Sequence, residues 1–251
     1  MLRRKERRRQ ALRERAFPDA WREFLRRSVP LYRRLLPEDR EELHGHIQVF
    51  LDEKHFEGAG GLELTEPMVL VIVAQAALLL LHRPTDYFPK LSSILVYPGE
   101  YAVQHEVVNE AGFVDEVAEL RVGESWQLGT LVLSWDEIER DLLGGRRNVV
   151  LHEFAHQIDA ENGEMNGAPI LVDQDLKRRW AEAMSDAYER LVDAAERRQR
   201  TLIDPYGATN PAEFFAVATE TFFLASVDLA RAEPDLYAAL RDYYRLDPAR
   251  W

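Results

Sequence analysis

Residues 148–159 read NVVLHEFAHQID, the most chemically specific stretch of the chain. His152 and His156 are four apart, so on a helix both imidazoles project from one face, about one turn apart. That spacing lets two ring nitrogens reach one ion at the roughly 2.0–2.1 Å that zinc takes. Glu153 follows the first histidine, placed to take a proton from an activated water without itself ligating. The other residues of the segment (Val149, Val150, Leu151, Phe154, Ala155, Ile158) are apolar, so the helix is expected to be buried. Buried imidazoles and a buried carboxylate are costly without partners, and a metal ion is such a partner. The competing reading is a chance HExxH with two satisfied core histidines, and the apolar context argues against it.

A catalytic zinc usually has three protein ligands and one open position. The chain has no cysteine, which removes disulfides, thiol nucleophiles and every Cys-based metal site, so the third ligand must be His or a carboxylate. The other five histidines all lie N-terminal to His152. Downstream, residues 210–223 read NPAEFFAVATETFF, with Pro211 suited to a first helical position and Glu213 and Glu220 seven apart on one face. Glu213 equally fits a capping box opened by Asn210, so on spacing alone ligand and cap stand level and Glu220 stays in contention. Asp159 shares the face of both histidines and reads either as a group that orients one of them or as an exposed helix-end carboxylate. Tyr206, taken alone, is an ordinary loop tyrosine. His44-Gly45-His46 can chelate in principle but reads more simply as helix-face histidine, and His55 and His82 read as structural. His105-Glu106 is a decoy, because Asn109 stands where a second histidine is needed.

The elements that must hold these residues follow from periodicity. Apolar spacing from Phe17 to Phe50, punctuated by Pro30 and Pro37, predicts two or three helices. Thr65 is a cap for a core helix within Met68–Leu81. Ser93–Tyr97 reads as a buried strand, Tyr101–Val108 and Gly112–Val122 as further strands, and Trp126–Trp135 (WQLGTLVLSW) as a hairpin turning near Gly129. Beyond it the chain reads as mostly helical: Val149–Ala160, Asp175–Arg198, a helix opening at Asn210-Pro211, and Leu236–Tyr244. With no repeat or linker, one α+β domain over 17–251 is the economical reading.

Of the 251 residues, 46 % are apolar and 30 % charged, as in ordinary globular proteins. The formal net charge of −12 disfavours direct binding of nucleic acid or anionic lipid. Residues 1–16 run against that balance, with Arg3, Arg4, Lys5, Arg7, Arg8, Arg9, Arg13 and Arg15, and are expected as a basic N-terminal tail outside the domain. No apolar segment follows them as in a secretory signal. The longest apolar run, Met68–Leu81, is interrupted by Gln75 and falls short of the roughly 20 residues that span a bilayer. A cytoplasmic protein without a membrane span is therefore expected.

The pieces ILVYPGEYAV, WQLGTLVLSW, NVVLHEFAHQIDAENG and IDPYGATNPAEFFAVATETFF occur in this order. In combination they make the chain, from about residue 17 to residue 248, resemble the Mlc titration factor A family of bacterial zinc peptidases. The resemblance implies a zincin-like α+β fold, mostly helical with a small mixed or antiparallel sheet. It also implies a gluzincin-type site, similar to the catalytic domain of anthrax lethal factor, with one Zn2+ per chain. Carried onto matching positions, His152, His156 and Glu213 become zinc ligands, Glu153 the general base and Tyr206 the donor to the oxyanion, with Glu220 supporting the ligands. The implied activity is aminopeptidase-like hydrolysis of short peptides. The implied partner is a glucose-regulated transcriptional repressor of the Mlc type. A repressor-binding protein whose zinc is structural, or only incidentally catalytic, is the alternative from a different class. The arginine-rich start is not a feature associated with the family.

Overall fold

Prolines and apolar spacing divide the N-terminal region as the sequence predicts. The computed structural model describes residues 2–99, 103–108, 114–119, 129–171 and 173–251. Helix α1 (Leu2–Arg13) precedes α2 (Asp19–Ser28), α3 (Pro30–Arg34) and α4 (Pro37–Glu53). Pro30 and Pro37 open α3 and α4, where the missing N–H costs nothing. The arginine-rich residues form α1, which lies along α4. Buried Arg9 bonds both carboxylate oxygens of Glu53, at 2.7 and 2.8 Å, and reaches Asp86 Oδ1 at 2.6 Å. Lys5 pairs with Asp86 and Arg8 with Asp52. Much of the basic charge is thus spent on docking the helix.

Strand β1 (His55–Gly58) leads to α5 (Glu66–Leu78), whose residues from Leu70 to Leu78 are all buried. A helix apolar on every side belongs inside a core. Thr65 is its N-cap residue, but the side chain makes no capping bond, so burial carries this helix. Strand β2 (Ser93–Tyr97) follows, then β3 (Val103–Val108) and β4 (Val114–Glu119), which pair antiparallel. Strand β5 (Thr130–Ser134) returns to the first sheet. Its order is β1-β2-β5, parallel throughout, with Ile94 opposite Phe56 and Leu131. The mixed topology agrees with the expected fold class.

The expected hairpin over Trp126–Trp135 takes a different form. Thr130–Ser134 pairs in parallel with β2, and Trp135 opens a helix; residues 126–128 lie outside those described. Gly129 has φ +73 and its carbonyl accepts from the backbone N–H groups of Ser92 and Ser93. The glycine therefore feeds a parallel strand, which alternation alone cannot distinguish from the second arm of a hairpin. His105 and Glu106 fall on β3, so the decoy is on a strand, not on a helix.

The remaining elements are α6 (Trp135–Leu142), α7 (Val149–Asp159), α8 (Gln174–Glu196), α9 (Pro211–Leu224), α10 (Ser226–Ala232) and α11 (Pro234–Tyr244). Helix α7 packs chiefly on α9 and also against α5, α6 and β5. Phe154 turns away from its polar neighbours to meet Phe88 and Phe50, with ring centroids at 4.9 and 5.6 Å. The long α8 buries one stripe (Trp180, Ala183, Met184, Ala187, Leu191) against α11 and a 3-10 turn, Pro205–Ala208. Among the described residues no helix is long and apolar enough to cross a membrane.

Candidate metal centre

The N-terminus of α7 is tied down from three directions. Asn148, the N-cap, accepts from the Leu151 N–H at 2.9 Å, a bond of the kind that contributes about 1 kcal/mol. Asp141 of α6 accepts from the Val149 N–H at 2.7 Å. Glu220 of α9 accepts from the Asn148 backbone N–H. The helix carrying HExxH therefore starts at a fixed place relative to α6 and α9.

Four residues farther on, the His152 Nδ1–H donates to Glu220 Oε1 at 2.8 Å. A carboxylate only accepts, so the proton sits on Nδ1 and the lone pair of His152 points outward from Nε2. There Nε2 meets His156 Nε2 at 3.1 Å and Glu213 Oε2 at 3.1 Å, and His156 Nε2 is 3.4 Å from the same oxygen. The three atoms form a small triangle of ligand type. A tetrahedral ion with ligands at 2.0–2.1 Å requires edges of about 3.3–3.4 Å, so the triangle fits an ion of zinc's size.

Electrostatics point the same way. Burial opposes the charge on Glu213, yet bonds from His152 and His156 hold its carboxyl down at about 2. Burial alone lowers His152, but the carboxylates of Glu213 and Glu220 outweigh it and lift the imidazole to about 10. The pocket thus favours positive charge at the point where the three atoms meet, and a divalent ion would supply it while leaving the imidazoles neutral.

Glu213 resolves two sequence readings into two parts of one residue. Its backbone N–H is capped by Asn210 Oδ1 at 3.0 Å, while its carboxylate faces the histidines instead of returning to the Asn210 N–H as in a capping box. Glu153 is buried, its carboxyl pushed above the usual range by desolvation, and among the described residues Oε2 accepts no hydrogen bond. Tyr206, on the 3-10 turn before α9, has its ring centroid 6.2 Å from that of His152 and is 54 % exposed. Burial raises the phenol's pKa, and the charges of Glu213 and Glu153 add to the shift. The structure thus gathers His152, Glu153, His156, Tyr206, Glu213 and Glu220 in one place.

Asp159 departs from its exposed reading. It is fully buried and accepts from the Gly167 N–H at 2.8 Å, fastening the loop that follows α7. Gly167, at φ +74, lies so close to the Pro211 carbonyl that a Cβ there would stand 2.3 Å from the oxygen. Only glycine permits that approach, which brings this loop against the start of α9. Asp141 and the second bond of Glu220 have little signature in the sequence beyond an acidic residue shortly before a helix start. Among the described residues, no other histidine joins the group. His44 bonds Tyr32, His46 bonds Tyr87, and His82 lies between Asp39 and Glu42.

The sequence profile of the glucose-regulated metallo-peptidase M90 family matches residues 3–245, so the arginine-rich helix falls within the match. A protein of Synechocystis sp., described only as uncharacterized, is 41% identical over 238 residues, covering 94% of this chain and 86% of its own. Mlc titration factor A of Pectobacterium atrosepticum is 31% identical, with 88% of this chain and 84% of its own covered. The protein of that name in Klebsiella pneumoniae is 30% identical over the same shares. Family-wide agreement of this extent, with a His-His-Glu group suited to a metal, places the chain in the glucose-regulated metallo-peptidase M90 family.

Proposed function

We propose that the chain is a zinc-dependent peptidase of gluzincin type, with aminopeptidase-like hydrolysis of short peptides. The observation that carries this reading is the convergence of His152 Nε2, His156 Nε2 and Glu213 Oε2 on one point, beside a buried glutamate with an unpartnered oxygen. His152, His156 and Glu213 would hold one zinc ion, leaving its fourth position to water and substrate. Bound there, zinc supplies Lewis acidity, polarising the scissile carbonyl and making water nucleophilic near neutral pH. Glu153 accepts the proton of the attacking water and passes it to the leaving amine; its raised pKa suits a group that must both take and give. Tyr206 donates its phenolic proton in a hydrogen bond to the carbonyl oxygen as charge builds there. Strand β5 is paired only on its β2 side among the described residues, and its open edge supports alignment of a peptide backbone by strand addition.

Glu153→Gln is the test. Metal content should persist while hydrolysis of aminoacyl chromogenic substrates falls about 10²–10⁴-fold. Activity retained by the variant would remove Glu153 from the reaction.

A second reading is favoured by the relatives' name. Mlc titration factor A denotes a factor that titrates Mlc, and at 30–31% identity over most of both chains an Mlc-type repressor is a candidate partner here too. The two roles are compatible, and both suit a cytoplasmic protein. Capture of such a repressor by Glu153→Gln at wild-type strength would separate binding from catalysis.

A further inference from the structure

Gln75 is out of place by composition. Every other residue from Leu70 to Leu78 is aliphatic, and Gln75 is only 2 % exposed. A buried amide persists without penalty only where each of its groups finds a partner. Here they do. Its Nε2 donates to the Val71 carbonyl at 3.2 Å, which turns Oε1 toward α7, where it accepts from Asn148 Nδ2.

That bond fixes which way the Asn148 amide faces. With Nδ2 directed at Gln75, Asn148 Oδ1 is the atom left to cap the Leu151 N–H. The same residue's backbone N–H donates to Glu220 Oε2, and Glu220 Oε1 takes the Nδ1 proton of His152. A continuous chain of hydrogen bonds thus runs from α5 through the start of α7 to α9 and back to the first histidine. Within it Asn148 donates in both directions, to Gln75 and to Glu220, and Glu220 accepts at both its oxygens. Asn148 and Glu220 are each 4 % exposed, so no solvent competes along it.

We infer that Gln75 is a positioning residue for the metal centre: by orienting Asn148 it keeps Glu220 and the His152 tautomer in the arrangement that leaves Nε2 free to ligate. The inference rests on the metallopeptidase reading. Groups that orient metal-bound histidines through hydrogen bonds affect metal affinity about 10–100-fold, and Gln75 acts two hydrogen bonds farther out than Glu220, so the low end applies. A Gln75 that merely satisfied a buried amide would influence folding stability and leave the metal untouched.

The experiment compares the wild-type chain with Gln75→Met, Gln75→Glu and Asn148→Asp. Affinities for Zn2+ and Co2+ are read by competition with a chromophoric chelator, together with the Co2+ absorption spectrum and the thermal melting curve. Gln75→Met removes both hydrogen-bonding groups at similar length. It should bind both ions about tenfold more weakly with an altered cobalt spectrum, while Gln75→Glu, which keeps an acceptor facing Asn148, stays within about threefold of wild type. Asn148→Asp keeps the capping oxygen and the backbone bond to Glu220 but loses Nδ2, and should weaken binding as Gln75→Met does. Wild-type affinity and spectrum in Gln75→Met, or in Asn148→Asp should Gln75→Met not fold, would overturn the inference whatever the melting temperature. A wild-type chain that bound neither ion would overturn the metallopeptidase reading itself, and this inference with it.

Discussion

Among the described residues, the histidines of α7 and those of the N-terminal region treat their nitrogens in opposite ways. At the candidate metal centre, His152 and His156 turn Nε2 toward one shared point, and Glu213 adds a third donor atom to it. In the N-terminal set, the bonded ring nitrogens meet hydroxyl or carboxylate groups of the fold. His44 Nε2 bonds the Tyr32 hydroxyl and His46 Nδ1 that of Tyr87, both at 2.8 Å, while the His82 ring bonds Asp39 at 2.7 Å and its backbone N–H donates to Glu42 at 2.8 Å. The second arrangement is closed, because these ring nitrogens bond to partners within the fold. The first is open, since three ligand-type atoms converge on one point. Counting histidines would put the N-terminal set ahead, three to two, whereas the direction of their nitrogens singles out the other.

The largest test of this contrast is metal content. His156→Ala should take the chain from roughly one ion to a trace, because two remaining ligands cannot close a tetrahedral site, whereas His46→Ala should retain the full complement. Elemental analysis after dialysis decides it, and loss of metal from His46→Ala would make the N-terminal cluster a site in its own right.

Tyr206→Phe sharpens the open side. The phenol is half exposed beside His152 and ligates nothing in the proposed arrangement, so metal should stay while turnover falls about 10²-fold. The loss should appear in kcat more than in KM. Unchanged kcat would return Tyr206 to its plain reading as a loop tyrosine.

Spacing explains how much of this could be read in advance. Histidines at i and i+4 must share a helix face, so the candidate site follows from NVVLHEFAHQID once a helix is granted. Histidines at i and i+2, like His44 and His46, point to nearly opposite sides of α4, one toward Tyr32 and the other toward Tyr87. Glu213 was ambiguous because one residue uses its N–H for the cap and its carboxylate for the cluster. Bonds across long separations were not legible. Nothing local tells that Glu220 meets Asn148 or that Arg9 enters the core between Glu53 and Asp86. The parallel pairing of β2 with β5 was hidden for a related reason, since alternation reports a strand's faces and not its neighbour.

On the closed side, His82→Ala should cost about 1–3 kcal/mol of unfolding free energy, because Asp39 is buried and loses its imidazole partner. His82 also sits at φ +57, a conformation few side chains adopt, and alanine inherits that strain without the compensating bonds. Chemical denaturation measures the difference, with metal content unchanged. A variant as stable as wild type would mean that Asp39 needs no imidazole partner.

The smallest effect is a slope with pH. Burial works against the charge of Glu42, but bonds from the His46 ring and the His82 backbone N–H, with the charges of both rings, hold its carboxyl below the usual range. An unfolded glutamate takes up its proton near ~4.3, so below that value the unfolded chain binds more protons than the folded one. The contribution of Glu42 is therefore complete above ~4.3 and is lost as pH falls through the lower, folded value. His44 acts with the same sign at a higher pH. Burial lowers its pKa, so the fold resists a proton that the unfolded imidazole accepts near ~6.5. Denaturant unfolding from about pH 7 to about pH 3 should show wild-type stability declining in both windows, and Glu42→Gln should make only the acid part shallower, since Glu213, Glu53, Asp86 and Asp242 are held low as well. Parallel curves for the two proteins would show that Glu42 is not held by its histidines, and the N-terminal cluster would then be less closed than its distances imply.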